Sequence, residues 1–178
     1  MKRPDLSFVI MRLKLECNNQ NKKREAMSLD SVKAFFAAKA PEIEVIELPT
    51  STATVVLAAE AHGVEPGQIA KTLSFSAKEQ TILIVTRGDA RIDNRKFKDQ
   101  FGTKPRMLDA ETVLAETSHP VGGVCPFGLP SALPVYCDIS LKTYEEVVPA
   151  AGATNSAVRI APHRMAELVS AEWIDVCQ

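Results

Sequence analysis

No apolar run in this chain is long enough to span a bilayer. Residues 1–10 mix charge with apolar groups and lack the apolar centre and cleavage site of an export signal. Neither membrane contact nor export is therefore expected, and the cytoplasm is the expected compartment. Cysteine is sparse: Cys17, Cys125, Cys137 and Cys177 form no C-x-x-C pair, so reduced thiols are the expectation. His62, His119 and His163 lie far apart and leave no Cys/His cluster with zinc spacing, so no metal is assigned. Charge of one sign is also missing. The formal net charge is -1, which excludes a global basic field for nucleic acid and leaves only a local patch for such a contact. A G-x-S-x-G elbow, a Walker A loop and a dinucleotide fingerprint in its proper context are all absent.

What remains is ordinary globular material. The 178 residues are 46% hydrophobic and 24% charged, enough for one domain burying roughly 70% of its unfolded surface. Residues 16–26 are polar, and Met27 precedes a clean helix start, so residues 1–26 read as an extension and 27–178 as a single domain. The basic run Lys22-Lys23-Arg24 reads as a solvated tail or an RNA contact. Ser28 can cap a helix over about 29–39, and Pro41 ends it. Val45 to Leu48 reads as a strand. An Ala-rich helix over about 53–62 closes at Gly63. Ile69 to Phe75 alternates as a strand, and Thr81 to Thr86 reads as a strand buried on both faces. Asp93 and Asp109 cap helices over about 94–101 and 110–117, with a short strand from Pro105 to Leu108 between them. Leu133 to Cys137 and Ser156 to Ile160 read as strands. Pro162 opens a helix to about Val169, and Trp173 to Val176 forms an edge strand. Helices and strands mix without a strict βαβ rhythm. The expected class is α+β: a mixed, largely antiparallel curled sheet or barrel flanked by helices.

The most informative stretch is Gly122-Gly123-Val124-Cys125-Pro126-Phe127-Gly128. Three glycines and a proline describe a backbone feature. It is either a tight loop between elements or a segment that aims main-chain N–H groups at a carbonyl or phosphate oxygen. Ser118 and His119 precede it, but neighbours on an extended chain point apart and cannot act as nucleophile and base. His119 reads as a lone base, a substrate contact or a loop histidine. Cys125 reads as a small buried residue. Lys71, in the middle of a strand among apolar residues, either snorkels from a sheet edge or points into a polar cavity, where an ammonium could hold a phosphate or polarise an ester carbonyl. Asp138, at a strand end, reads as a helix or turn cap, or as a partner for a cation or hydroxyl.

Taken together, two segments resemble the YbaK/prolyl-tRNA-synthetase-associated (ProX-like) family of aminoacyl-tRNA editing domains. Gly63-Val64-Glu65-Pro66-Gly67-Gln68-Ile69-Ala70-Lys71-Thr72-Leu73 is similar to the family segment ending in K-T-L. His119-Pro120-Val121-Gly122-Gly123-Val124-Cys125-Pro126-Phe127-Gly128 is similar to its G-G-x-x-P-x-G loop. Gly88 to Asp93 and the stretch from Ala151-Gly152 to Pro162 also fit, and the resemblance covers about residues 28–177. The chain departs from the cysteinyl-specific members at three places. Thr54 stands where they carry phenylalanine, an aromatic near Ile46 is missing, and Ala157 replaces an aspartate. Ser118 replaces a glycine common just before the loop.

The resemblance implies a mixed β-barrel flanked by helices and a hydrolase acting on mischarged tRNA, in several cases a tRNA for proline. It implies no cofactor and no side-chain nucleophile. Water, or a substrate group such as a ribose hydroxyl or a thiol, would do the attacking. Lys71, Gly122 and Gly123 become the expected catalytic residues, with Thr54, His119, Val124, Pro126 and Asp138 as expected substrate contacts. The expected partners are mischarged aminoacyl-tRNA and an aminoacyl-tRNA synthetase. A tRNA- or synthetase-binding module without turnover, and a hydrolase for another small ester or amide, are the competing readings.

Overall fold

The computed structural model describes residues 27–178. The expected extension 1–26, with its basic run and Cys17, lies outside the described residues. Helix α1 spans residues 27–39 and buries Val32 and Phe36. Strand β1 is Ile46–Glu47. Helix α2, Val55–His62, is capped by the Thr54 hydroxyl, which accepts from the Leu57 N–H, and ends at Gly63 with φ 63°. A 3-10 turn, Pro66–Gln68, leads into the hairpin β2, Ile69–Ala77, and β3, Gln80–Arg87. Helix α3, Asn94–Phe101, is capped by Asp93, and α4, Ala110–Thr117, by Asp109. Strand β4, Val135–Asp138, runs into a 3-10 turn, Ile139–Thr143. Strands β5, Val148–Pro149, and β6, Ser156–Ala157, precede helix α5, Pro162–Leu168, and strand β7, Glu172–Ile174.

Five strands form one mixed sheet in the order β5-β2-β3-β4-β7, while β1 and β6 pair separately. The β2–β3 and β1–β6 pairs are antiparallel. The β2–β5, β3–β4 and β4–β7 pairs are parallel. Parallel neighbours need long connections. The 47 residues between β3 and β4 provide one, and they carry α3, α4 and the glycine loop. The expected mixed, curled α+β sheet is observed, with β7 at its edge, but the expectation of largely antiparallel pairing is corrected: three of the four pairings in the five-stranded sheet are parallel, because the long connections return each strand in the same direction. The expected strand at 105–108 is reduced to a bridge from Phe75 to Met107.

The sheet packs against two apolar clusters. On one side, Leu83, Val85 and Ala70 meet Val32, Phe36, Cys125 and Phe127. On the other, Phe75 and Ile84 meet Phe97. The first cluster ties α1 to the glycine loop, because the Phe36 and Phe127 rings lie 4.7 Å apart between centroids. Such aromatic burial is what holds a loop of this composition in one shape.

Asp138 is fully buried inside this frame. Its Oδ1 accepts from Ser140 N at 2.9 Å, and its Oδ2 accepts from Val176 N at 2.8 Å and Cys177 N at 3.1 Å. The carboxylate is a backbone clamp, as its cap-like sequence position allowed. It lines no part of the cavity described below, so the expected substrate contact at Asp138 is corrected to a structural role.

Candidate functional site

The site begins as a gap in the edge of β2. Strand β5 covers β2 only at Ile69 and Ala70. Further along, the 106–108 segment takes over: Ser76 N donates to Arg106 O at 2.9 Å and Leu108 N to Ser74 O at 3.1 Å. Ser74 and Ser76 therefore turn their peptide groups to this edge. Alternation along a strand does the same for Thr72. Thr72 falls between the two covering segments, so its N–H and C=O face the gap.

A cavity of about 420 Å3 sits over this gap. Its walls come from β2, from α2 and the residues before it, from α4, and from the glycine loop. Lys71, Thr54, Gly122 and Val124 all line it, so the structure gathers four of the eight expected site residues at one place. The lining contains no aspartate, glutamate or cysteine. Among the described residues no set of three or more His, Cys, Asp or Glu converges in a way that could hold a metal ion.

Lys71 is half-buried, and its Nζ donates to Gly88 O at 2.9 Å and Ala90 O at 2.5 Å. Two of its three donors fix the direction of the ammonium, and the third is free for a ligand. Burial pulls its pKa below the ordinary 10.5; the nearby Cys177 and Asp89 oppose that pull, and Arg91 adds to it. The lysine thus ties the 88–90 turn to β2 and also presents one cation to a largely apolar space.

The two glycines divide. Gly122 lines the cavity at φ 92°, and a Cβ there would stand 2.8 Å from the Ala53 Cβ. The N–H groups of Gly122 and Val124 have no protein acceptor among the described residues. Gly123 does not line the cavity. Its N–H donates to Pro120 O at 2.9 Å, its C=O accepts from Gly152 N at 3.1 Å, and a Cβ would meet the Ala153 carbonyl carbon at 2.8 Å. Gly123 is there because two backbones touch, and its N–H is already occupied.

His119 and Pro126 also lie away from the cavity. His119 is fully buried. Its Nε2 lies 2.9 Å from Phe127 O and its Nδ1 2.5 Å from Ser28 Oγ, which also reaches Gly152 O at 2.6 Å. The histidine pins both ends of the loop to α1 and to the 152 turn, which corrects the expected substrate contact to a positioning one. Pro126 lines a separate depression with Phe35 and Leu129. Burial pushes the Cys125 thiol up to about 12, which keeps it a neutral packing residue. Thr54 stands exposed at the cavity mouth with its hydroxyl engaged in the α2 cap.

The departure at Ser118 has a geometric meaning. This residue ends α4 in the left-handed region, φ 61°, where glycine is at ease and a side chain is strained. Ser118→Gly is expected to raise stability by about 0.5–1 kcal/mol, read as a higher urea midpoint at unchanged slope.

His62 is the titratable cavity residue that the sequence reading missed. His62, at the end of α2, is buried and lines the cavity, and its Nε2 has no partner among the described residues. Only its place one residue before the Gly63 cap could have flagged it, and helix ends are common places for histidine. Burial first, and then the Arg159 guanidinium, hold its pKa below 6.5. The folded state therefore binds fewer protons than the unfolded chain once the pH drops towards 6.5. Stability is lost as pH falls from the unfolded value to the lower folded one. His119 shifts in the same direction, so the two must be separated by mutation. Urea titrations between pH 7.5 and 5.5 should show a shallower acid loss in His62→Leu than in the wild type.

The model of the aminoacyl-tRNA editing domain matches residues 50–168, which contain every residue lining the cavity. The chain is 49% identical over 154 residues to the uncharacterized protein YwhH of Bacillus subtilis (strain 168), covering 85% of this chain and 98% of that one. It is 31% identical over 120 residues to a proline--tRNA ligase of Desulfovibrio desulfuricans, where the match spans 67% of this chain and 20% of the ligase. It superposes with a TM-score of 0.79 and 33% identity on the crystal structure of a candidate trans-editing enzyme for prolyl tRNA synthetase, covering 85% of this chain and 97% of that one. With a family model matching well over half its length, the chain belongs to the aminoacyl-tRNA editing domain family.

Proposed function

We propose that residues 27–178 are a single editing domain that works in the cytoplasm as a freestanding aminoacyl-tRNA deacylase. It hydrolyses the ester of mischarged tRNA and so corrects the errors of an aminoacyl-tRNA synthetase. The observation that carries this reading is the composition of the cavity. It combines one directed ammonium, Lys71, with free main-chain N–H groups at Gly122 and Val124, and it has no carboxylate. Its histidine and Ser74 are each without a partner, so they do not form a nucleophile–base pair.

Such a site suits an ester that is already activated. Water adds to the carbonyl carbon, the carbonyl oxygen gathers negative charge, and the bond to the ribose oxygen breaks. That oxygen takes a proton to restore the tRNA hydroxyl, and the amino acid leaves as the free acid. Lys71, with the Gly122 and Val124 N–H groups, stabilises the developing charge, and the cavity walls position the ester. The relation to proline--tRNA ligases and to a candidate trans-editing enzyme supports this substrate class.

The test is a deacylation panel with the purified full chain over tRNAs charged with non-cognate amino acids. Hydrolysis of at least one mischarged tRNA, well above the rate without protein, is expected. Binding without turnover across the panel would replace this reading with a tRNA-binding module. Faster turnover of small aminoacyl esters than of charged tRNA would point instead to a small-ester hydrolase.

A further inference from the structure

Most cations among the described residues are engaged. Lys33, Arg87, Arg95, Lys96, Arg159 and Arg164 face carboxylates. Lys71 donates to two carbonyls, and Lys39 and Lys142 lie over the Phe35 and Trp173 rings. Lys78, Arg91, Lys98, Lys104 and Arg106 are left without a partner among the described residues. All but Arg91 belong to one end of the β2–β3 hairpin. Lys78 sits in the hairpin turn, and a Cβ at Gly102 would stand 3.7 Å from its Nζ, so its ammonium lies over the end of α3. Gly102 N donates to Lys98 O, which puts Lys98 in the last turn of that helix. Ser76 N donates to Arg106 O, and Phe75 pairs with Met107 in the antiparallel sense. Continued by two residues, that register brings Lys104 level with Lys78. All four residues are exposed. Of the acids on these segments, Glu79 is exposed in the same turn, Asp99 faces Arg95 and Asp109 caps α4. The strip begins beside the cavity. Arg106 precedes Met107, which lines the cavity and is 62% exposed, as Val121 of the glycine loop does at 60%. These two side chains mark the cavity mouth. From Ser74 on the cavity wall to Lys78 is about 13 Å of strand.

We propose that Lys78, Lys98, Lys104 and Arg106 hold the phosphate backbone of the tRNA acceptor arm while its charged end enters the cavity between Met107 and Val121. The inference rests on the deacylase reading and adds a docking surface to it. With a formal net charge of -1 the chain has no general field for RNA, so affinity for a polyanion needs a local strip. These four cations neutralise phosphates without giving up an ion pair. The lysines act as point charges, and the arginine offers a planar fork for two phosphate oxygens. Contacts to phosphate carry no sequence information and instead fix register and orientation. A strip on one side of the mouth therefore sets the direction from which the ester arrives at Lys71 and the glycine loop.

The test measures binding of an uncharged proline tRNA to the full chain by fluorescence anisotropy over a salt series. It compares wild type with Lys104→Gln, Arg106→Gln, their double variant and a Lys142→Gln control. Lys142 carries the same charge but packs on Trp173 of the β7 edge, outside the cavity lining. The double variant is expected to bind about 10-fold more weakly at about 0.1 M salt, and each single substitution to reduce the slope of log affinity against log salt by about 1. Lys142→Gln should leave both unchanged. The strip residues have no partner to lose, so the thermal midpoints of their variants should hold. On charged tRNA the double variant should raise KM at unchanged kcat, and its hydrolysis of an aminoacyl-adenosine, which has no phosphate, should match the wild type. No tRNA binding by wild type, an unmoved salt slope in the double variant, or an equal loss in Lys142→Gln overturns the docking surface. Loss of poly-glutamate binding with tRNA binding unmoved would give the strip to an acidic protein segment and overturns it as well. The expected loss of tRNA binding, with no turnover of any charged tRNA by wild type, keeps the surface and overturns only the deacylase reading.

Discussion

Lys71→Ala is expected to lower kcat/KM for deacylation by about 10²–10³-fold, the usual effect of removing one pre-aimed charge donor from a water-poor site. The reason lies in how the ammonium is held. Gly88 O and Ala90 O take two of its protons and leave one donor for the ligand. The same bonds mean that the substitution has a structural cost. Gly88 and Ala90 are buried, and two orphaned carbonyls are worth about 1–3 kcal/mol. Activity must therefore be measured well below the unfolding midpoint, with the folded fraction checked by circular dichroism. Lys71→Met separates the two roles further, because it keeps the aliphatic stem and removes only the charge. Near-complete loss in both variants is the expected result. Full turnover in Lys71→Met would reduce Lys71 to a strut for the 88–90 turn.

Asp138→Ala is expected to be the most destabilising single change, by about 3–5 kcal/mol. Three backbone N–H groups, of Ser140, Val176 and Cys177, converge on one buried carboxylate. Removing it leaves the Val176 and Cys177 donors buried without an acceptor and the half-buried Ser140 donor without its partner. The damage extends beyond the chain end. Asp93 N donates to Val176 O at 2.8 Å, Gln178 N to Arg91 O at 3.0 Å, and Lys96 Nζ to Cys177 O at 2.7 Å. The 174–178 segment thus supports the 90–96 segment, whose first residue is an anchor of Lys71. Urea denaturation monitored at Trp173 measures the loss, and Asp138→Asn, which keeps one carbonyl oxygen, should fall between wild type and alanine. A cost below about 1 kcal/mol for Asp138→Ala would mean that β4 does not depend on this clamp.

Much of the framework was legible in the chain because its punctuation is local. Asp93 and Asp109 cap the helices they precede, and Gly63 and Gly102 end two helices in the left-handed region. The β2–β3 hairpin announced itself by alternation and by an unbroken apolar run. Strand direction was less legible. Whether β4 lies parallel or antiparallel to β3 depends on where the long connection returns, and that is settled by packing rather than by residue type. The 105–108 segment has strand-like composition but donates and accepts only where it crosses β2.

The candidate site divides along the same line. Lys71 and Gly122 stood out by residue type: a charge inside an apolar strand and a glycine in a cluster can each be noticed singly. The unlike fates of Gly122 and Gly123 could not be read there. Adjacent and identical, they differ only in what approaches them, Ala53 for one and the Ala153 backbone for the other. His119 looked like chemistry and proved to be scaffolding, because its partners Ser28 and Phe127 come from elements that only folding brings together. His62 drew no notice in the sequence and proved to line the cavity for the same reason. By itself the sequence determined the order of most elements, several helix caps and the residue types available for an ester-binding site, since these depend on neighbours along the chain. Only the tertiary structure decided which polar groups are already satisfied and which remain free for a substrate, because hydrogen-bond satisfaction is a property of contacts between distant segments.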